Sequence, residues 1–205
     1  MRRTGGFTLI EMLVVVAIIM VLAAIIYPVY EMANKRAETL HCANNMAHIT
    51  TAAALYAEDY DGMLVPARVG FGTPGTFGTS WDVLLLPYHR VEGLYLCLGD
   101  PAPTWALNTV CYKHSYGINL DVTMLGGYNN SSMLLAEVPN PTSTILFFEV
   151  LGSARALGAS YPVHGLSRVD CRHNDGANFS FLDGHVKWYH PRTTCADEAN
   201  NMWIP

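Results

Sequence analysis

The sequence predicts an α+β fold in which a long N-terminal helix packs on a C-terminal antiparallel β-sheet domain. The first half of that helix is apolar enough to span a membrane and the second half is amphipathic. Three observations predict it: an almost uncharged run from Phe7 to Val29, an apolar stripe at helical spacing from Cys42 to Tyr60, and alternating residues on either side of Asp183-Gly184. At 205 residues the chain has room for one ordinary domain and one extra element. Charged residues make up 14% of it, and much of the shortfall lies between Glu11 and Glu31, where no charge occurs. The formal net charge of −5 offers no basic face, so no nucleic-acid partner is expected.

The first six residues, Met-Arg-Arg-Thr-Gly-Gly, are short and basic, and the 23 residues of Phe7–Val29 carry one charge, Glu11. As a helix these would rise about 34 Å, enough to cross a hydrocarbon core of about 30 Å. Arg2 and Arg3 would hold the N-terminal end on the cytoplasmic side, leaving the rest outside. A secretory signal is cut after its apolar run, at small residues; here Gly5 and Gly6 stand before it. Glu11 falls one helical turn after Phe7, near the membrane edge, where a carboxylate is less costly than at the bilayer centre. If a leader is removed, a positive amine appears at Phe7 and is the obvious partner for Glu11, within the chain or on a neighbour. The alternative is that Glu11 only reaches back to the interface. In water this helix would aggregate; a filament that buries such helices against one another resolves the problem without lipid.

The stretch Gly6-Phe7-Thr8-Leu9-Ile10-Glu11 resembles the type IV prepilin processing motif. The resemblance implies a 1–6 leader cut between Gly6 and Phe7 by a prepilin peptidase, methylation of Phe7, and a role for Glu11 in filament assembly. Pro28 is similar to a helix-bending proline in many members. The implied partners are copies of the chain or other pilins and an inner-membrane assembly platform; the implied location is the bacterial inner membrane, then a filament.

Beyond Pro28 no strong breaker occurs before Gly62. Cys42, Met46, Ile49, Ala53, Tyr56 and Tyr60 step by three or four residues, one stripe of an amphipathic helix. The helix is therefore expected over 7–60, with 7–29 transmembrane, and Gly62 as its stop. Cys42, on the stripe, reads as a buried free thiol.

The remainder, 61–205, is expected to be globular. Gly62–Gly78 is rich in Gly, Pro and Thr and reads as a loop. Strand-like runs follow at Gly93–Leu98, Leu120–Leu125 and Ser143–Val150. In 177–189, a two-residue turn at Asp183-Gly184 would set Phe181 opposite Val186, Phe179 opposite Trp188, and Ser180 facing Lys187 on the other side, giving one apolar face to lie on the helix. His173, nine residues, then Asp183-Gly184 is similar to the H-X9-DG motif of a large class of prepilin-like proteins. Leu94–Cys97 and Ser115–Asn119 look like the Cys-containing central motif of the same class. These resemblances imply the pilin fold and a pseudopilin-like or minor subunit.

Chemistry is sparse. Glu149, His173, Asp183 and His185 have types suited to a metal or acid–base site, with calcium or zinc as the fitting ions, but their spacing matches no catalytic motif. Structural roles are the expectation: Asp183 in its turn, His173 bonded to Asp183 or a carbonyl, no cofactor and no enzymatic activity. Cys97 with Cys111 would close a loop of about 15 residues and Cys171 with Cys195 would clip the hairpin, though five cysteines allow other pairings. Trp105 and Trp203 are possible exposed contacts for an external ligand. The predicted function is a subunit of a type IV pilus-like or type II secretion pseudopilus filament. The alternative is a membrane-tethered ligand- or metal-binding, or hydrolytic, extracytoplasmic domain.

Overall fold

The computed structural model describes residues 6–69, 79–89, 91–100, 104–105, 113–123, 132–150, 169–194 and 202–203. They form an α+β chain, a long N-terminal helix with an antiparallel four-stranded sheet and two short two-stranded pairings. The chain divides into two units, Met1–Ala37 and Glu38–Pro205, and helix α1 (Leu9–Asp59) contributes to both.

In the first unit every described residue is exposed, Leu9 at 77% and Ile19 at 59% among them. The backbone there satisfies its own hydrogen bonds within the helix, so what is left without a partner is apolar side-chain surface. This is the one helix among the described residues long and apolar enough to cross a membrane. Pro28 lies within it, and its missing N–H removes one bond that would reach the carbonyl of Ala24.

In the second unit, Cys42, Met46, Ile49, Ala53 and Tyr56 are buried, as their spacing predicts. Tyr60 departs from the stripe: it lies past the helix, half exposed, stacked on Tyr56 at 4.2 Å between ring centroids. The buried face is also more polar than an apolar stripe. Asn45 is in it and donates to the Leu96 carbonyl at 3.0 Å, and Thr50 donates back to the Met46 carbonyl at 2.8 Å. The helix stops where Asp61 turns left-handed at φ 54° and the Gly62 N–H reaches the Ala57 carbonyl at 2.7 Å, the longer closing bond of a Schellman motif.

Strand β1 (Arg68–Val69) pairs with β2 (Thr79–Ser80), which leads into the one-turn α2 (Trp81–Leu84). Strand β3 (Thr104–Trp105) pairs with β4 (Lys113–His114). The main sheet contains β5 (Tyr116–Ile118), β6 (Ile145–Glu149), β7 (Ala177–Phe181) and β8 (Val186–Tyr189), in that order and antiparallel throughout. Two expected strands are absent. Gly93–Leu98 enters through a 3-10 turn, Glu92–Tyr95. Leu120 starts the short helix α3 (Leu120–Thr123), because Asn119 accepts the Asp121 N–H at 3.0 Å as a cap; Met124 and Leu125 lie outside the described residues.

The β7–β8 hairpin is one residue out of its expected register. Phe179 faces Lys187 and Ser180 faces Val186, while the Phe181 N–H reaches the His185 carbonyl at 3.0 Å. The connection is therefore the three residues Leu182-Asp183-Gly184. A two-residue type I′ loop needs positive φ at both positions, whereas the three-residue loop needs one left-handed residue, which Gly184 supplies at φ 98°.

The faces are reversed relative to expectation. Tyr116, Ile118, Phe147, Glu149 and Asn178 look toward α1: Tyr116 donates to the Cys42 carbonyl and Asn178 to the Thr39 carbonyl. Phe148, Phe179 and Phe181 look away, into a second apolar cluster with Val150, Val169 and Trp203. Trp203 is 2% exposed, so it is core and not a surface contact; the side chain of Trp105 lies outside the described residues. The Trp203 indole meets Phe148 edge-on at 4.8 Å and donates to Thr194. Truncating Trp203→Ala should lower unfolding stability by about 3 kcal/mol or more, read from denaturant midpoints. A loss below about 1 kcal/mol would mean that the C-terminal segment does not cover this face.

Candidate functional site

Two places hold most of the candidate residues: the start of α1, and the interface between its second half and the sheet. At the first, Thr8 and Glu11 form a reciprocal cap. Glu11 Oε2 accepts the Thr8 N–H at 2.8 Å and the Thr8 hydroxyl at 2.6 Å, and Thr8 Oγ1 accepts the Glu11 N–H at 3.4 Å. This is the S/T-x-x-E capping box, a signal present in Thr8-Leu9-Ile10-Glu11 that the expected pairing of Glu11 with the Phe7 amine, within the chain or on a neighbour, did not include. Gly6 and Phe7 precede the helix, both exposed.

At the second place, Cys42 on α1 is bridged to Cys97 with Cα atoms 5.2 Å apart. That corrects two expectations: Cys42 is not a free thiol, and Cys97 is not joined to Cys111, which lies outside the described residues. The chosen partner sits 55 residues away because the helix stripe and the segment after the Glu92–Tyr95 turn meet in the same core. Cys171 is free and exposed, so the clip to Cys195 is not made; Cys195 is also outside the described residues. Burial and the neighbouring Asp170 and Asp175 push the Cys171 thiol up from its ordinary value.

Against the bridge lie His173 and Glu149. His173 Nε2 is 3.1 Å from Glu149 Oε1 and 3.2 Å from Cys97 Sγ, and its Nδ1 is 3.2 Å from the Thr39 hydroxyl. Glu149, with no exposure, also accepts the Asn178 side-chain amide at 2.9 Å and the Asn178 N–H at 3.2 Å. His173 is aimed by a tight turn. Asn174 and Asp175 both have positive φ, and His173 and Gly176 exchange both backbone bonds, as in a type I′ connection. Trp188 closes over it, its indole N–H donating to the His173 carbonyl at 2.7 Å. A Cβ on Gly176 would fall 2.2 Å from that indole, so only glycine fits.

The four sequence candidates therefore divide. Glu149 and His173 meet in the buried interface. Asp183 and His185 pair at 2.6 Å on the surface, at the far end of β7. His173 does not bond Asp183; Thr39 and Asn178, which tie its surroundings to α1, were not singled out in the sequence.

A further buried group is Asp82 in α2. Its Oδ2 is 3.0 Å from His114 Nε2, and its Oδ1 accepts the Ser80 hydroxyl. Burial pushes this carboxyl up, but the bonds from His114 and Ser80 outweigh it and hold it below the ordinary value. Serine and histidine address opposite oxygens of one carboxylate, so the order is not that of a nucleophile, base and orienter.

Such a carboxyl, lower in the folded chain than its unfolded value of about 3.9, stabilises the fold above that value and loses the contribution as pH falls through the folded pKa. Stability measured across a pH series should drop on acidification below about pH 4. Asp82→Asn should start lower at neutral pH and show a flatter acid limb; an unchanged limb would remove Asp82 as its source. Separately, Cys97→Ser should cost about 2–5 kcal/mol of unfolding stability; a smaller loss would mean that the bridge is not formed in solution.

Residues 1–27 match the family described as the prokaryotic N-terminal methylation motif. Comparison with curated proteins and with solved structures finds no match. The matched segment takes in Gly6, Phe7, Thr8 and Glu11 and ends within the apolar part of α1. The chain thus carries a prokaryotic N-terminal methylation motif, which supports its reading as a type IV pilin-like prepilin.

Proposed function

We propose that the chain is a structural, non-enzymatic subunit of a type IV pilus-like filament or of the related type II secretion pseudopilus. The observation that carries this reading is the coincidence, on one helix, of a methylation signal and an uncovered apolar surface running from Phe7 through Met32. Lipid covers that surface before assembly, and neighbouring helices cover it afterwards. In this reading the peptidase cuts between Gly6 and Phe7 and methylates the new amine. The helix then crosses the inner membrane once, with Arg2 and Arg3 marking the cytoplasmic end and the region from residue 61 facing the periplasm.

The cap gives Glu11 two roles that follow one another along the same path. Both of its bonds to Thr8 use Oε2, which leaves Oε1 to meet the Phe7 amine of a neighbouring subunit. In this reading Pro28, whose ring removes one backbone bond of α1, is where the helix can bend. The His173…Asp183-Gly184 spacing favours a pseudopilin-like or minor subunit over a major one.

Intact mass of protein from its native host should show loss of residues 1–6 and one added methyl group. Glu11→Gln keeps an oxygen for the Thr8 cap and removes the charge, whereas Glu11→Val removes both. If charge pairing drives assembly, both variants are exported but neither enters filaments. Normal assembly of the Gln variant would reduce Glu11 to a helix cap. Normal surface behaviour of the Val variant would favour a tethered domain instead, and a mature chain still carrying its first six residues would end the proposal.

A further inference from the structure

The Cys42–Cys97 bridge does not account for its surroundings. A disulfide needs neither an imidazole nor a carboxylate, yet His173 Nε2, a Glu149 oxygen and the two sulfurs all lie within 4.8 Å of one another, and all four residues are buried. Burying a carboxylate is costly unless it is fully partnered, and this one is held by Asn178 on both oxygens. The donors come from four separate places: α1, the segment after the Glu92–Tyr95 turn, the end of β6, and the turn before β7. They converge as a set.

We propose that, when the bridge is reduced, these four residues form a closed zinc site. Two thiolates, one imidazole nitrogen and one carboxylate oxygen are a four-coordinate donor set for Zn²⁺, while the sulfurs disfavour calcium. Four protein ligands and full burial leave no open position, so the site is structural and not catalytic. A dithiol reductant supplies two electrons and two protons to the S–S bond, is itself oxidised to a disulfide, and leaves two thiols on the protein. Zn²⁺ then displaces both thiol protons to the solvent. With Zn–S bonds of about 2.3 Å the sulfurs part to about 3.8 Å in a tetrahedron.

The outer contacts suit this state as well. His173 binds the metal through Nε2, so its proton resides on Nδ1 and is donated to the Thr39 hydroxyl, 3.2 Å away. The same Thr39 hydroxyl donates to Nδ1 when the ring proton is on Nε2 and faces Glu149. One interface between α1 and the sheet thus has two alternative locks, a covalent one under oxidising conditions and a metal one under reducing conditions.

The test uses the full-length protein in detergent, oxidised or reduced with a water-soluble phosphine, and Co²⁺ as the probe. Reduced protein should bind one Co²⁺ per chain, with thiolate charge-transfer and tetrahedral d–d absorption, and Zn²⁺ should displace it. Oxidised protein should show neither band. The double variant Cys42→Ser/Cys97→Ser should lose the charge-transfer band, and Thr39→Val, which keeps all four ligands, should weaken binding about 10- to 100-fold. Near-ultraviolet circular dichroism follows the fold in every sample. Reduced protein that stays folded and binds no Co²⁺ overturns the proposal, as does a charge-transfer band that survives in Cys42→Ser/Cys97→Ser. Reduced protein that unfolds and is not restored by either metal also overturns it.

Discussion

A buried polar side chain is tolerable only when its protons and lone pairs find partners, and the interface between the second half of α1 and the sheet is built around that condition. Glu149, His173, Asn178, Asn45 and Tyr116 all lie in it, and each is engaged across the interface or within the sheet. Apolar surfaces tolerate sliding; these contacts do not. They hold the helix in one rotation and one height against the strands, and the Cys42–Cys97 bridge lies in the same layer.

That choice determines where the apolar weight of the sheet goes. With the polar residues of β6 and β7 turned to the helix, Phe148, Phe179 and Phe181 must face the other way and need a cover of their own. The chain supplies it from its far end, through Trp203, tied by its indole to Thr194 and by its carbonyl to Asn119. The sheet is thereby buried on both faces, with one cluster under the helix and another under the C-terminal segment.

The first unit obeys a different rule. It has no buried residue among those described, and from Met12 to Tyr30 its surface carries no charge and is mostly apolar. The helix satisfies its own backbone, so what an apolar environment would cover there is side-chain surface alone. The Thr8–Glu11 cap satisfies the first backbone groups of this helix from within its own first turn.

Much of this was legible one element at a time. Spacing alone located the helix stripe, its stop at Gly62, the apolar run and strand β6, because each depends on neighbours within a turn or a pleat. Local signals left unread, such as Asn119 as a cap and Thr8-x-x-Glu11 as a box, belong to the same class. The hairpin register was missed by one residue, since Asp-Gly is compatible with a two- or a three-residue loop and only the packing of Phe181 and Val186 on opposite sides distinguishes them. By itself, then, the sequence determined the α+β class, the membrane-competent helix and the methylation signal. The tertiary structure alone decided which cysteines pair, which face of the sheet meets the helix, and that Glu149 and His173 meet while Asp183 and His185 stand apart. Those outcomes rest on contacts between residues as many as 139 positions apart, and no local periodicity carries the free energy of packing that brings such residues together.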